Sequence, residues 1–211
     1  YIVWMQSNQV ADVEGAWVRA DALGQFEIAL PSVVYFNGLD SDPGWTLEPD
    51  WEYGIPAYAG AGPIGGATGD HCVGYHLSGN YTKRITSMRY ATTGPIDCTG
   101  SSRLTLRFQR WLRTDRNDAT ALEASTNGTS WVTLWSSSGG AADTAWRSVQ
   151  YDLPPELAGS ATLQFRWGLS SGSDPKTESG WHSDDLEVLG AGALDVLPPA
   201  APLGVADVTA E

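Results

Sequence analysis

Positive charge is scarce in this chain. Only 12 Lys and Arg stand against 25 Asp and Glu, giving a formal net charge of −13 over 211 residues. A phosphate backbone needs a basic patch, so nucleic acid is excluded as a partner, and anionic membrane surfaces are disfavoured for the same reason. Apolar runs of spanning length are missing, which argues against membrane insertion. Cysteine is limited to Cys72 and Cys98, too few for a disulfide-dense scaffold. There is no Walker loop, no His-Glu-x-x-His and no Cys-x-x-Cys. What is abundant is Gly (24), Pro (12) and Trp (10), with charged residues at 18 %. That balance fits many short strands joined by tight turns, in a chain long enough to build a core without staples.

The pattern of residues 104–190 is strand after strand, broken by Asn127-Gly128, Ser-Gly clusters and Asp-Pro, with no helical period between. It predicts an all-β, two-sheet antiparallel sandwich. Strands are expected at 103–112, 119–125, 131–135, 146–153, 161–169 and 183–189, with Asn127-Gly128 as a hairpin turn. Upstream, Tyr35-Phe36 opens a strand, and a long Gly-rich loop follows at 54–70. Loops of that length usually bind or cover something. Cys72 and Cys98 frame what reads as a hairpin, 72–77 and 84–92 around Ser78-Gly79-Asn80. A disulfide across its base is geometrically reasonable and would imply an oxidising compartment; two buried free thiols are the alternative.

Three segments are expected. Residues 1–33 form an additional N-terminal β-hairpin, alternating from Val13, turning at Ala22-Leu23-Gly24 and alternating again. Residues 34–190 are the main domain. Residues 191–211, with Leu197-Pro198-Pro199-Ala200-Ala201-Pro202, are an Ala/Pro-rich linker. The opening Tyr1-Ile2-Val3-Trp4-Met5 is strand-like, so the chain reads as a piece of a longer precursor.

An acidic pair, Asp184-Asp185, sits inside the last strand, where acids are normally depleted. A cation is the natural compensation. Calcium takes six to eight oxygens, mixing carboxylates and carbonyls. Asp40 and Asp42, after the first main-domain strand, and Asp70, at the end of the Gly-rich loop, are candidate partners. Strand alternation places Asp184 and Asp185 on opposite faces. The competing reading makes all these acids turn formers. A ligand surface is the other candidate. With Leu104, Leu106 and Phe108 inward, Arg107, Gln109 and Trp111 share the outer face, joined by Gln164 and Arg166 from a neighbouring strand. An aromatic among polar groups suits a sugar ring, and the arginines point to acidic polysaccharide. Against it, Trp111 can re-enter the core past a bulge, and the arginines can pair with surplus acids. His71, His76 and His182 lack zinc-site spacing and read as surface or loop histidines.

The ordered series Gly44-Trp45, Trp51-Glu52-Tyr53-Gly54-x-Pro56, Gly79-Asn80-Tyr81, Pro95-Ile96-Asp97-Cys98-Thr99-Gly100, Glu123-x-Ser125-Thr126-Asn127-Gly128-x-x-Trp131 and Gly180-Trp181-x-x-Asp184-Asp185-x-Glu187-Val188 resembles MAM-like jelly-roll domains. These lie C-terminal to secreted bacterial proteases of the immune inhibitor A type. The N-terminal Gly15-Ala16-Trp17-Val18-Arg19-Ala20-Asp21 resembles part of a carboxypeptidase-regulatory-like module. The resemblance implies a jelly roll, an extracellular accessory role and a structural calcium. Phe36-Asn37 stands where the family has Phe-Asp or Phe-Glu, so Asn37 joins the metal candidates with a carbonyl oxygen instead of a charge. Together these features describe a non-catalytic secreted domain, calcium-stabilised, for adhesion or polysaccharide binding in a multidomain exoprotein. The alternative is a structural subunit or spacer of an extracellular assembly, pairing by strand addition with other domains or copies. Part of a secreted hydrolase is the lesser alternative.

Overall fold

Alternating apolar and polar residues, without helical periodicity, fold here into antiparallel sheets with one short 3-10 turn, Pro155–Leu157, among the described residues. The computed structural model describes residues 2–5, 21–25, 30–58, 60–173 and 176–192, with backbone alone for 2–5 and 21–25. No helix among them is long and apolar enough to cross a membrane.

The chain divides into two units, residues 1–30 with 193–211, and Pro31–Gly192. In the first, β1 (Ile2–Met5) pairs antiparallel with β2 (Asp21–Gln25), and Trp4 faces Ala22. Ala22-Leu23-Gly24 is therefore strand, not the expected turn. The alternating residues 13–20 and 26–29, the Asp174-Pro175 turn and the Pro-rich 193–211 lie outside the described residues.

The second unit is a two-sheet jelly-roll sandwich. Its strands are β3 (Ser32–Asn37), β4 (Thr46–Leu47), β5 (Trp51–Gly54), β6 (Cys72–Tyr75), β7 (Arg89–Thr92), β8 (Arg103–Thr114), β9 (Ala119–Ser125), β10 (Val132–Ser137), β11 (Ala141–Ala142), β12 (Arg147–Asp152), β13 (Gln164–Ser170) and β14 (Gly180–Ala191). One sheet has the order β10-β9-β13-β7-β4. The other is built on the long strands β8 and β14, with β11 and β12 along β8, and β6 and β3 along β14; β5 follows β6.

Between the sheets, Leu104, Leu106, Phe108 and Leu112 of β8 meet Phe165, Trp167 and Leu169 of β13. Phe108 meets Trp167 edge-on at 5.4 Å, and Trp45 stacks on Trp167 at 5.0 Å. These offset and edge contacts are the favoured aromatic geometries, and each buried Trp would cost about 3–5 kcal/mol on truncation to Ala.

The two cysteines are not a hairpin pair. Cys72 lies in β6 of the seven-stranded sheet, whereas the segment leading to Cys98 runs through β7 of the five-stranded sheet. Opposite sheets separate them, and both are free buried thiols, so the expected disulfide is absent. Burial pushes the Cys98 thiol up to about 11 and Cys72 higher still, so neither is a reactive thiolate.

Candidate functional site

The last strand carries a β-bulge between Asp184 and Glu187, where Asp185 takes a positive φ of 48°. The extra residue flips the inward parity. Trp181 is inward before it, Leu186 and Val188 after it. Asp184 and Asp185 consequently do not diverge to opposite faces. Both reach the Gly-rich loop. Asp184 Oδ2 accepts from the N–H of Ala67 at 2.6 Å and of Thr68 at 3.2 Å, and the Thr68 hydroxyl donates to Asp185 Oδ1 at 2.6 Å. The loop is glycine-rich because it passes so close. A Cβ on Gly66 would lie within 2.8 Å of Asp184 Oδ2 and of the Thr68 and His71 carbonyl oxygens, and one on Gly69 would collide with Asp40 Oδ1.

Asp184 is fully buried, and burial pushes its carboxyl up to about 6 against the pull of the N–H donors of Asp185, Ala67 and Thr68. Tyr53 stacks on His71 at 5.4 Å and donates to the Leu39 carbonyl. Its phenol is raised by burial and then by the charges of Asp42, Asp40 and Asp184. The other metal candidates are elsewhere engaged or exposed. Asn37 Oδ1 accepts the Leu39 N–H in a local turn, Asp42 Oδ1 accepts the Gly44 N–H, and Asp70 is exposed. Among the described residues no three His, Cys, Asp or Glu side chains cluster as a metal site. The oxygens that converge with Asp184 Oδ2 beside Gly66 are the main-chain carbonyls of Thr68 and His71, which leave no mark in the side-chain sequence.

The outer face of the seven-stranded sheet does carry Arg107, Gln109 and Trp111 together, since β8 alternates without a break. It is not an open platform. Trp111 is half-buried and meets Trp146 edge-on at 6.1 Å, while the Trp146 indole N–H donates to the Gly65 carbonyl of the loop. Arg107 is held by Glu187. His182, paired in register with Trp111, is 1 % exposed, not a surface or loop histidine; burial pushes its imidazole down to about 3.

Arg166 belongs to β13 in the other sheet, as does Gln164, so neither shares a surface with Trp111. Sequence alternation assigned each residue an outward side but could not say which sheet it was outward from. On that second face Arg166 is clasped between two rings. Its guanidinium carbon lies 3.9 Å from the Tyr90 ring centroid and 4.0 Å from that of Trp131, and its Nε donates to Glu123 Oε2 at 2.6 Å. Tyr90 lies flat on the sheet because its neighbour across the ladder is Gly168, where a Cβ would collide with Tyr90 and Met88. Tyr90, Trp131 and Glu123 were not among the sequence candidates. The signal available was the pairing of an outward aromatic on one strand with a glycine on the next.

Two stretches spell known signatures without their structural context. Gly60-Ala61-Gly62-Pro63-Ile64-Gly65 has dinucleotide-fingerprint spacing but opens no helix and lies between the antiparallel strands β5 and β6. Gly168-Leu169-Ser170-Ser171-Gly172 has the spacing of a hydrolase nucleophile elbow, yet Ser170 is paired with Ala119 in β13 with no helix after it.

No family model matches the chain, and no curated protein does. Solved structures to which the chain shows similarity include the C-terminal CBM6 of LamC, a marine laminarinase from Zobellia galactanivorans, at 14 % identity over 74 % of this chain and 92 % of that one, TM-score 0.39. Another is the carbohydrate-binding module CBM6cm-2 of Cellvibrio mixtus lichenase 5A in complex with cellotriose, at 11 % identity over 74 % and 97 %, TM-score 0.39. A third is TmCBM61 in complex with β-1,4-galactotriose, at 9 % identity over 70 % and 88 %, TM-score 0.42.

Proposed function

We propose that this chain is a non-catalytic, secreted accessory module that binds polysaccharide on the outer face of the five-stranded sheet and is stiffened by a calcium ion at Asp184. The observation that carries the binding reading is the Tyr90–Arg166–Trp131 stack, an outward aromatic surface with a tethered guanidinium beside a carboxylate. Aromatic edges beside convergent polar groups are what this stack offers a sugar ring. A glycan array tests it. Tyr90→Ala should weaken retention about tenfold or more, as loss of an anchor does, with the fold intact by circular dichroism. Retention unchanged by Tyr90→Ala moves binding off this face.

The calcium reading is supported by the oxygen convergence beside Gly66 and by the buried charge of Asp184, which no described ion pair reaches. Asp184 Oδ2 and the carbonyl oxygens of Thr68 and His71 would hold the ion, with Asp40 beside Gly69. The hard-oxygen mixture suits calcium over zinc. The ion would supply charge compensation and fix the loop against β14.

An assembly role is the second reading. It is favoured by β3, where Val33, Val34 and Phe36 are exposed on a strand that hydrogen-bonds β14 alone among the described residues.

A further inference from the structure

Resting on the reading that the five-stranded face binds polysaccharide, we infer that its ligand is an uncharged polysaccharide chain lying across the strands, gripped through its hydroxyls by the Arg166–Glu123 pair, and not an acidic one.

Three observations carry this. First, the cleft between Tyr90 and Trp131 is already filled by the Arg166 guanidinium, so a sugar ring cannot enter between them. It must lie over the outward edges of this stack. Second, Arg166 is spoken for electrostatically. Its side chain is 21 % exposed and that of Glu123 14 %, and the two are joined by a charge-assisted bond. A uronate or sulfate would have to displace Glu123 to use the positive charge, leaving a mostly buried carboxylate unpaired. The pair left intact offers guanidinium donors beside a carboxylate acceptor. That combination matches neighbouring sugar hydroxyls, each of which both donates and accepts.

Third, a further carboxylate borders the site. Glu48 Oε2 accepts the Tyr90 backbone N–H at 3.0 Å, and the Tyr90 phenol is raised by burial and then by Glu123 and Glu48, against the lowering effect of Arg166. The net charge of −13 likewise disfavours an acidic ligand. Register gives the footprint. Thr46, Thr92, Arg166, Glu123 and Thr133 face one another across the five strands, a row about 19 Å long at sheet spacing. Hydroxyls at three of its positions extend the same neutral hydrogen-bonding chemistry.

Affinity electrophoresis of the purified chain decides it, using mixed-linkage β-glucan, galactan and xylan as neutral probes and polygalacturonate and alginate as acidic ones. The expected result is retardation by at least one neutral polysaccharide, none by the acidic ones, and at least a tenfold loss of affinity in Arg166→Gln. If Arg166→Gln fails to fold, Arg166→Lys, which keeps the charge but loses the fork, should show the same loss. Retardation by the acidic polymers alone, abolished by Tyr90→Ala, overturns the inference while leaving glycan binding by this face standing. Neutral binding that survives both Arg166 variants overturns the role of the pair. Failure to bind any probe, with no signal on a broad glycan array, removes the parent reading and this inference with it.

Discussion

His182 shows how a residue's role follows from its row in the sheet. By its letter it was a loop histidine. By register it faces Trp111 across the β8–β14 ladder and is buried with its Nδ1 unpartnered. Burial pushes its imidazole down to about 3, so the folded state resists the proton that the unfolded chain accepts near the ordinary value of 6.5. The stability this confers is complete above about pH 6.5 and is lost as pH falls toward 3, by up to about 1.4 kcal/mol per pH unit. His182→Gln should remove that slope. Urea denaturation of both proteins between pH 7 and pH 4.5 measures the difference; parallel curves would mean the imidazole is not excluded from water. The same scale governs the two arginines expected on the ligand face. Arg107 and Arg166 each found a glutamate, Glu187 and Glu123, as an acidic chain with few cations makes easy.

At the scale of elements, much was legible. The strands β8, β9, β10, β12, β13 and β14 fall where alternation and Asn127-Gly128 placed them, because one buried face imposes a period of two. Two things were hidden. Which sheet a strand joins is a long-range choice, and it separated Cys72 from Cys98 and Arg166 from Trp111. The bulge at Asp185 was hidden by reading β14 as regular, although Trp181, Leu186 and Val188 cannot all face inward without an inserted residue. The edge strand β3 permits a test of the assembly reading. Strand addition expects light scattering to give twice the 22.5 kDa chain mass, and Val33→Lys on the exposed edge to return a single chain. A single-chain mass for the unaltered protein would sink that reading.

For the whole molecule, the Gly-rich loop, the β14 bulge and the acids after β3 act as one unit, and calcium is the proposed link between them. Without the ion, the raised Asp184 carboxyl means the folded state holds its proton more tightly than the unfolded chain, whose ordinary value is 3.8. Stability should then rise as pH falls from about 6 to about 4. Calcium reverses the sign: an ion bound to the carboxylate favours the ionised form, so acidification through the same window releases the ion and lowers stability. The His182→Gln background isolates this effect from the imidazole. In it, calcium at a hundredfold excess over its Kd should add about 2.7 kcal/mol, raising Tm by roughly 5–10 °C at neutral pH. Chelator should restore the opposite pH slope, and Asp184→Asn should abolish the calcium response. Identical pH slopes with calcium and with chelator would show that no ion ties the loop to β14, and that the backbone N–H groups of Ala67, Thr68 and Asp185 hold the buried carboxylate unaided.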